Sequence, residues 1–289
     1  MTHYEILIDS SLNVHTSFVD ACSYAMIPMT VAIGDRDFSI GRNTPLETVH
    51  DFYRRIQTET ASTSQIPQSM YEAYFQPALG SGADVLYLSL SSGISATYHQ
   101  ALLAKKDLEN AFPGRSVHCV DTRSCGPAGS FLVKRAVENR EKGMTAEENK
   151  KDLENFRIRV VFTGLITQLD HIKRSGRLSG GMALVGNALH IKPILLMEEN
   201  GDLVLCDKAR GIKQATKRLI QTLEEKMDVE ETTIFLSHGD DEDLALSAKE
   251  QILEKTDASD VFIDYLTPVV SAHIGQGALG MSFIQKIAD

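Results

Sequence analysis

Between residues 84 and 142 the sequence switches twice between short apolar runs and helix-length segments, and this alternation restricts the fold more than any other feature. DVLYLSL (84–90) and SVHCVD (116–121) are short and largely apolar. Runs of that length bounded by polar turns predict buried strands. Helix-length segments follow each, at 96–111 and 127–142. Strand–helix–strand–helix predicts a parallel sheet with helices on its faces, because parallel neighbours need a crossover and the helix supplies it. YEILID (4–9) and AMIPMTVAI (25–33) read as further strands. Residues 44–59 predict a helix, with Thr44 as N-cap, Pro45 at the first helical position and Glu47 at the third. ASTSQIP (61–67) is polar and predicts a loop, and a helix over 68–79 follows.

The pattern changes after Gly143. Thr145 and Glu148 form a capping box for a helix reaching about Phe156. RVVFTGL (159–165) predicts a strand, followed by a short helix with Leu169 and Ile172 and an apolar helix over 182–189. IKPILLMEENGDLVLCDK (191–208) is two apolar runs about an Asn-Gly turn, a strong hairpin signal. A helix (212–227), a strand (232–238), a helix (241–255) and a strand (260–266) complete the pattern before a Gly-rich stretch and MSFIQKI. A chain of 289 residues is long for one core. The expectation is an α/β protein with an N-terminal Rossmann-like parallel-sheet domain (1–155) and a C-terminal α/β domain (156–289).

Charge and motifs remove several function classes. Lys plus Arg number 29 against 39 for Asp plus Glu, a net charge of −10. Nucleic-acid binding is driven by cations meeting phosphates, so it is not expected. An acidic chain is also poorly suited to an anionic membrane surface. The four cysteines contain no CxxC pair and read as reduced core residues. MTHYEILIDSS has neither a basic segment nor an apolar segment of a signal peptide, and no run approaches a membrane span. Cytoplasmic localisation without stable membrane insertion is therefore expected. Residues 275–280 match GxGxxG, but only nine residues follow Gly280, so no surrounding βαβ unit fits. No phosphate loop and no metal-ligand spacing is present, and no cofactor or metal is expected.

Four loops are rich in hydroxyls: Asp9-Ser10-Ser11, Ser62-Thr63-Ser64-Gln65, Ser91 to Ser95, and Asp121 to Ser124. Each alone reads as ordinary helix capping. Four in one half, at or beside strand ends, suggest a site, and helix N-termini there favour an anion. The second half adds Arg177 between small residues and His273 before glycines.

Taken in order, these residues resemble the DegV family of bacterial fatty-acid-binding proteins. The run comprises Asp9-Ser10-Ser11, Pro28, Thr63-Ser64-Gln65, Ser91-Ser92 through Ser95 and Thr97-Tyr98, Asp121-Thr122, Gly176-Arg177, Lys192-Pro193-Ile194, Gly201, and His273 with Gly275 and Gly277. The resemblance implies a two-domain fold holding a long-chain fatty acid, with its carboxylate at Thr63, Ser95, Arg177 and His273. It also implies a lipid-presenting role. A separate ATP-binding fatty acid kinase subunit would phosphorylate the bound acid to an acyl phosphate, leaving this chain without catalytic residues. Two positions depart from the family pattern: Ala96 stands where glycine is usual, and Gln276 where proline is frequent. Apolar residues after Arg177 are the expected tail wall, namely Leu178, Met182, Leu184, Val185 and Leu189. The positive cluster Lys208, Arg210 and Lys213 is the expected kinase dock.

Two other readings remain. A Ser/His hydrolase would use Ser95 and His273, although Gly93-Ile94-Ser95-Ala96-Thr97 lacks the second glycine of a nucleophile elbow. A small-molecule phosphotransfer subunit of related fold would hold its substrate at His273.

Overall fold

The computed structural model describes residues 3–15, 17–20, 23–180 and 190–287. In the first half, β1 (Tyr4–Asp9) pairs in parallel with β2 (Ala25–Ile27) and with β6 (Asp84–Ser89), and β7 (Val117–Asp121) adds beyond β6. The alternating segment thus forms the predicted parallel sheet, in the order β2-β1-β6-β7. Its crossovers contain α2 (Gln68–Gly80) and α3 (Thr97–Ala111), and α4 (Ala128–Glu141) and α5 (Ala146–Phe156) follow β7. The capping box forms as expected: Thr145 Oγ1 accepts from Glu148 N at 3.2 Å, and Glu148 Oε2 accepts from Thr145 N at 2.8 Å.

Three local expectations are corrected. The apolar run 25–33 is two strands, because Pro28 lacks the N–H that a continuing ladder needs. After it, β3 (Met29–Ile33) leaves for a small antiparallel sheet with β4 (Arg36–Ile40) and β5 (Ala61–Ser64). The segment expected as a loop over 61–67 therefore begins with a strand, whose partner β3 is remote in sequence. Thr44 is not a helix cap. Its hydroxyl accepts from Gly41 N at 2.8 Å and closes a turn, so α1 (Leu46–Ile56) starts behind Pro45 without a side-chain cap.

The second half builds a mixed six-stranded sheet, in the order β10-β9-β8-β13-β11-β12. Its strands are β8 (Val160–Leu165), β9 (Ile191–Met197), β10 (Leu203–Arg210), β11 (Thr233–His238), β12 (Asp260–Tyr265) and β13 (Leu279–Ile284). The expected hairpin is β9 with β10, Leu203 facing Met197 across the Asn-Gly turn. The MSFIQKI segment supplies most of β13, antiparallel to both β8 and β11 in the interior of the sheet. Every strand of the two smaller sheets precedes Phe156, and every strand of the large one follows it.

The large sheet is apolar on both faces, for two reasons. One face packs on α7 (Ile212–Lys226) and α8 (Glu242–Lys255) through Leu219, Leu223, Ile252 and Val161. The opposite face carries Phe162, Leu195 and Phe235 into the core shared with the first half. Phe235 meets Phe18 and Phe131, each with ring centres 4.8 Å apart. Each such buried side chain contributes about 1.5–3 kcal/mol relative to exposure. Polar ties cross the same seam. Tyr53 Oη donates to the Leu266 carbonyl at 2.7 Å, and Ser91 Oγ to the Gly201 carbonyl at 2.7 Å. The second contact requires glycine, since a Cβ at Gly93 would lie 2.4 Å from that carbonyl oxygen.

Candidate ligand-binding site

The short helix α9 (Pro268–Ile274) positions the site. Thr267 caps it, Pro268 supplies a pre-set first turn, and it packs on β3 and β5 of the small sheet and on α6 (Leu169–Ser175). That packing brings His273 of α9 to Thr63 of β5, His273 Nε2 and Thr63 Oγ1 being 2.8 Å apart. Burial first, and the Arg177 charge second, hold the His273 imidazole down at about 4. Near neutrality the ring is therefore uncharged, with one nitrogen donating and the other accepting. Arg177 lies just past α6, with its Nε donating to the Ile94 carbonyl at 3.3 Å. Ile94 adjoins Ser95, whose hydroxyl accepts from Thr97 N at 3.2 Å and donates to Thr97 Oγ1 at 3.0 Å at the start of α3. The four expected head-group residues thus come from both halves, as a Thr63–His273 pair and an Arg177 side chain tied to the turn that carries Ser95.

These residues border a cavity of about 330 Å³ that Thr63, Ser95, Arg177 and His273 all line. Ser11 and Gln65 add polar atoms to it. The remaining wall is mostly apolar. Phe162, Leu165 and Ile166 come from β8 and its exit, Leu195 from β9, and Val269, Val270 and Ile274 from α9. Gly164 and Gly280 are cross-strand partners and both line the cavity. Bare backbone there is obligatory at Gly164, where a Cβ would lie 2.8 Å from the Leu279 carbonyl oxygen.

Other expectations fall differently. Leu178 is buried and bridges to the wall residue Leu203, but it does not itself line the cavity. Met182, Leu184, Val185 and Leu189 lie outside the described residues. Among the described residues most of the apolar wall comes from the large sheet and α9, with Met29, Leu90, Ile94 and Cys125 from the first half, none of which the sequence pattern nominates. The available signal was VVFTGL, apolar at successive positions and therefore buried on two faces. Several loop hydroxyls serve the scaffold. Ser92 Oγ donates to Asp121 Oδ2 at 2.6 Å, and buried Asp9 accepts from Tyr87 Oη and Leu90 N, both at 2.8 Å. Burial pushes the Asp9 carboxyl up, and the bonds from Ser11, Leu90 and Tyr87 partly oppose this.

The hydrolase reading needs Ser95 bonded to His273, whereas Ser95 donates to Thr97 and His273 pairs with Thr63. Gln276 donates through Nε2 to Asp240 Oδ2 at 2.9 Å, while Gly275 and Gly277 on either side take left-handed angles. Ala96 lines the cavity. Lys208 and Arg210 are exposed on β10, an edge strand, and Lys213 is exposed in the first turn of α7. Among the described residues no group of three His, Cys, Asp or Glu could hold a metal ion, and no helix is long and apolar enough to cross a membrane.

A parallel four-stranded sheet and a mixed six-stranded sheet, with a ligand-sized cavity edged by hydroxyls, imidazole and guanidinium, define a distinct class of α/β protein. The chain belongs to the DegV family, whose profile, described as "Uncharacterised protein, DegV family", matches residues 3–286. The DegV domain-containing protein CPE0026 of Clostridium perfringens is 30% identical over 286 residues, covering 98% of each chain. The Thermotoga maritima protein TM841, reported to reveal a fatty acid binding function, is 26% identical with a TM-score of 0.84, covering 99% of this chain and 100% of that one. The Streptococcus pneumoniae Fatty Acid Kinase B3 protein, loaded with linoleic acid, is 19% identical with a TM-score of 0.83, covering 98% and 100%. At that identity the last likeness shows the fold alone.

Proposed function

We propose that this chain binds one long-chain fatty acid between two domains, 1–155 and 156–289, and presents its carboxylate to an ATP-binding kinase subunit in the cytoplasm. One observation carries the reading: Thr63, Ser95, Arg177 and His273 edge a cavity whose remaining wall is largely apolar. Apolar surface suits a hydrocarbon tail. A roughly 16-carbon acid buries about 14 methylenes at about 0.8 kcal/mol each, on the order of 11 kcal/mol before association costs. The carboxylate is costly to desolvate unless paired, and the polar edge supplies the partners. Ser95 offers a hydroxyl, the bonded Thr63–His273 pair offers one further donor (the His273 Nδ1–H when Thr63 donates to Nε2, or the Thr63 hydroxyl when Nε2 donates to it), and Arg177 offers the compensating charge. None of these roles needs covalent chemistry on this chain, and the phosphoryl donor belongs to the partner. The kinase docks at Lys208, Arg210 and Lys213, cations at the unfavourable end of the α7 dipole on an acidic chain.

Organic extraction of the purified protein with mass spectrometry is the test. Near-stoichiometric fatty acid is expected, and lipid-free protein that also fails to bind added acids in calorimetry refutes the proposal. Charge reversal, Arg210→Glu, is expected to slow acyl-phosphate formation while leaving bound lipid unchanged, and unaltered kinase kinetics would remove the dock.

A further inference from the structure

A second cavity, of about 450 Å³, lies at the seam on the large-sheet side of the β9–β10 turn. Arg123, Arg157 and Lys226 line it together with Glu198, Glu199 and Asn200 of the turn. All three cations are half-buried, and among the described residues none lies within ion-pair distance of a carboxylate. Where they bond, they bond to carbonyls: Arg123 Nη1 donates to the Glu199 carbonyl at 2.8 Å, and Arg157 Nη1 to the Asp121 carbonyl. The Arg157 Nε is fully buried and has no acceptor. A buried guanidinium N–H without a partner is uncommon and costly, because its hydration is lost and nothing replaces it. Burial first, and the Arg123 charge second, disfavour the cation at Arg157, with the Asp121 and Glu154 charges opposing.

We propose that this cavity is an anion site for a phosphoryl-bearing small molecule, formed by Arg123, Arg157 and Lys226. Two guanidinium forks and an ammonium match the several oxygens of a phosphoryl group better than the two of one carboxylate. Glu198 and Glu199 belong to the turn that Ser91 grips through Gly201, so the ligand would sit against the same hairpin whose Leu203 lines the first cavity. The proposal stands on the second cavity alone and does not require a lipid in the first.

Pyrophosphate titrated into the full-length protein at low ionic strength and followed by ³¹P line broadening tests it. ADP and glycerol phosphate in parallel arms separate a nucleotide from a small phosphomonoester. Saturable binding is expected, weakened at least tenfold by Arg123→Gln and severalfold by Lys226→Gln. Lys106→Gln, exposed on α3 and outside this cavity, is expected to leave it unchanged. Arg157→Gln releases the Asp121 carbonyl and risks the fold, so the other two variants carry the test. Absence of saturation by any of the three compounds, or saturation identical in wild type, Arg123→Gln and Lys226→Gln, overturns the site.

Discussion

The two halves of the molecule contribute unlike material to the shared cavity. The first half supplies the three hydroxyls that line it, on Ser11, Thr63 and Ser95, beside apolar Met29, Leu90, Ile94 and Cys125; Thr63 is bonded across the seam to His273, and Ser95 within its own turn to Thr97. The second half supplies Arg177, His273 and most of the apolar wall, on a sheet face and a helix packed against the other half. Polar side chains at a strand end and a helix start can change at low structural cost, whereas an apolar wall needs a rigid surface that stays dry. In the proposed function, the second half therefore supplies most of the tail wall together with the head-group charge, and the first half supplies the head-group hydroxyls.

The strongest challenge to that division is Leu195→Asp. It places an unpaired carboxylate in the wall, which is expected to cost on the order of 4 kcal/mol and abolish lipid retention, read by urea unfolding and extraction. Retention at wild-type level would remove the wall from the binding surface.

Next in size is the pH response of His273. Its folded value of about 4 lies below the ordinary 6.5, so the protein disfavours the protonated ring. This contribution is fully present above about pH 6.5 and is lost as pH falls toward 4, by about 3 kcal/mol at most. His273→Gln removes that part of the acid loss, so its urea midpoint is expected to fall less than wild type between pH 7 and 4.5. Bound carboxylate would raise the ring's value, so loading is expected to take up a proton near pH 5, measured by calorimetry in buffers of different ionisation enthalpy.

Arg177→Ala comes third, at about 1–2 kcal/mol of fatty-acid affinity. The guanidinium is exposed and screened, so the loss falls below that of a fully buried pair. Ser95→Ala comes last, at about 1 kcal/mol, because a neutral hydroxyl is replaced in part by water. A displacement assay with a fluorescent fatty acid ranks the two, and the reverse order would make the first half the dominant contributor to head-group binding.

The features legible in the sequence were those written within one element. The alternation through residues 84–142, the Asn-Gly hairpin and the Thr145–Glu148 box each rest on local periodicity or turn chemistry, and each stands in the structure. The features that were not legible depend on distant partners. β5 is a strand because β3 is there to pair with it, and Thr44 lost its cap role to Gly41. Thr63, Ser95, Arg177 and His273 stand out singly by residue type, but their convergence was reachable only through an ordered resemblance, since no spacing brings positions 63 and 273 together. Wall residues such as Phe162 escaped because a strand buried on both faces does not reveal which face meets a cavity.

The interior position of β13 sets an order of assembly. Both of its neighbours, β8 and β11, precede it in the chain, so the large sheet remains in separate pieces until residues 279–284 have left the ribosome. The first-half sheet has all its strands by residue 121 and can close during synthesis. Until β13 inserts, β8 and β11 each present an unpaired edge, which is where a stalled or truncated chain is most exposed to intermolecular pairing. Leu279 and Gly280 of that same strand line the cavity, so its wall is incomplete until β13 is in place.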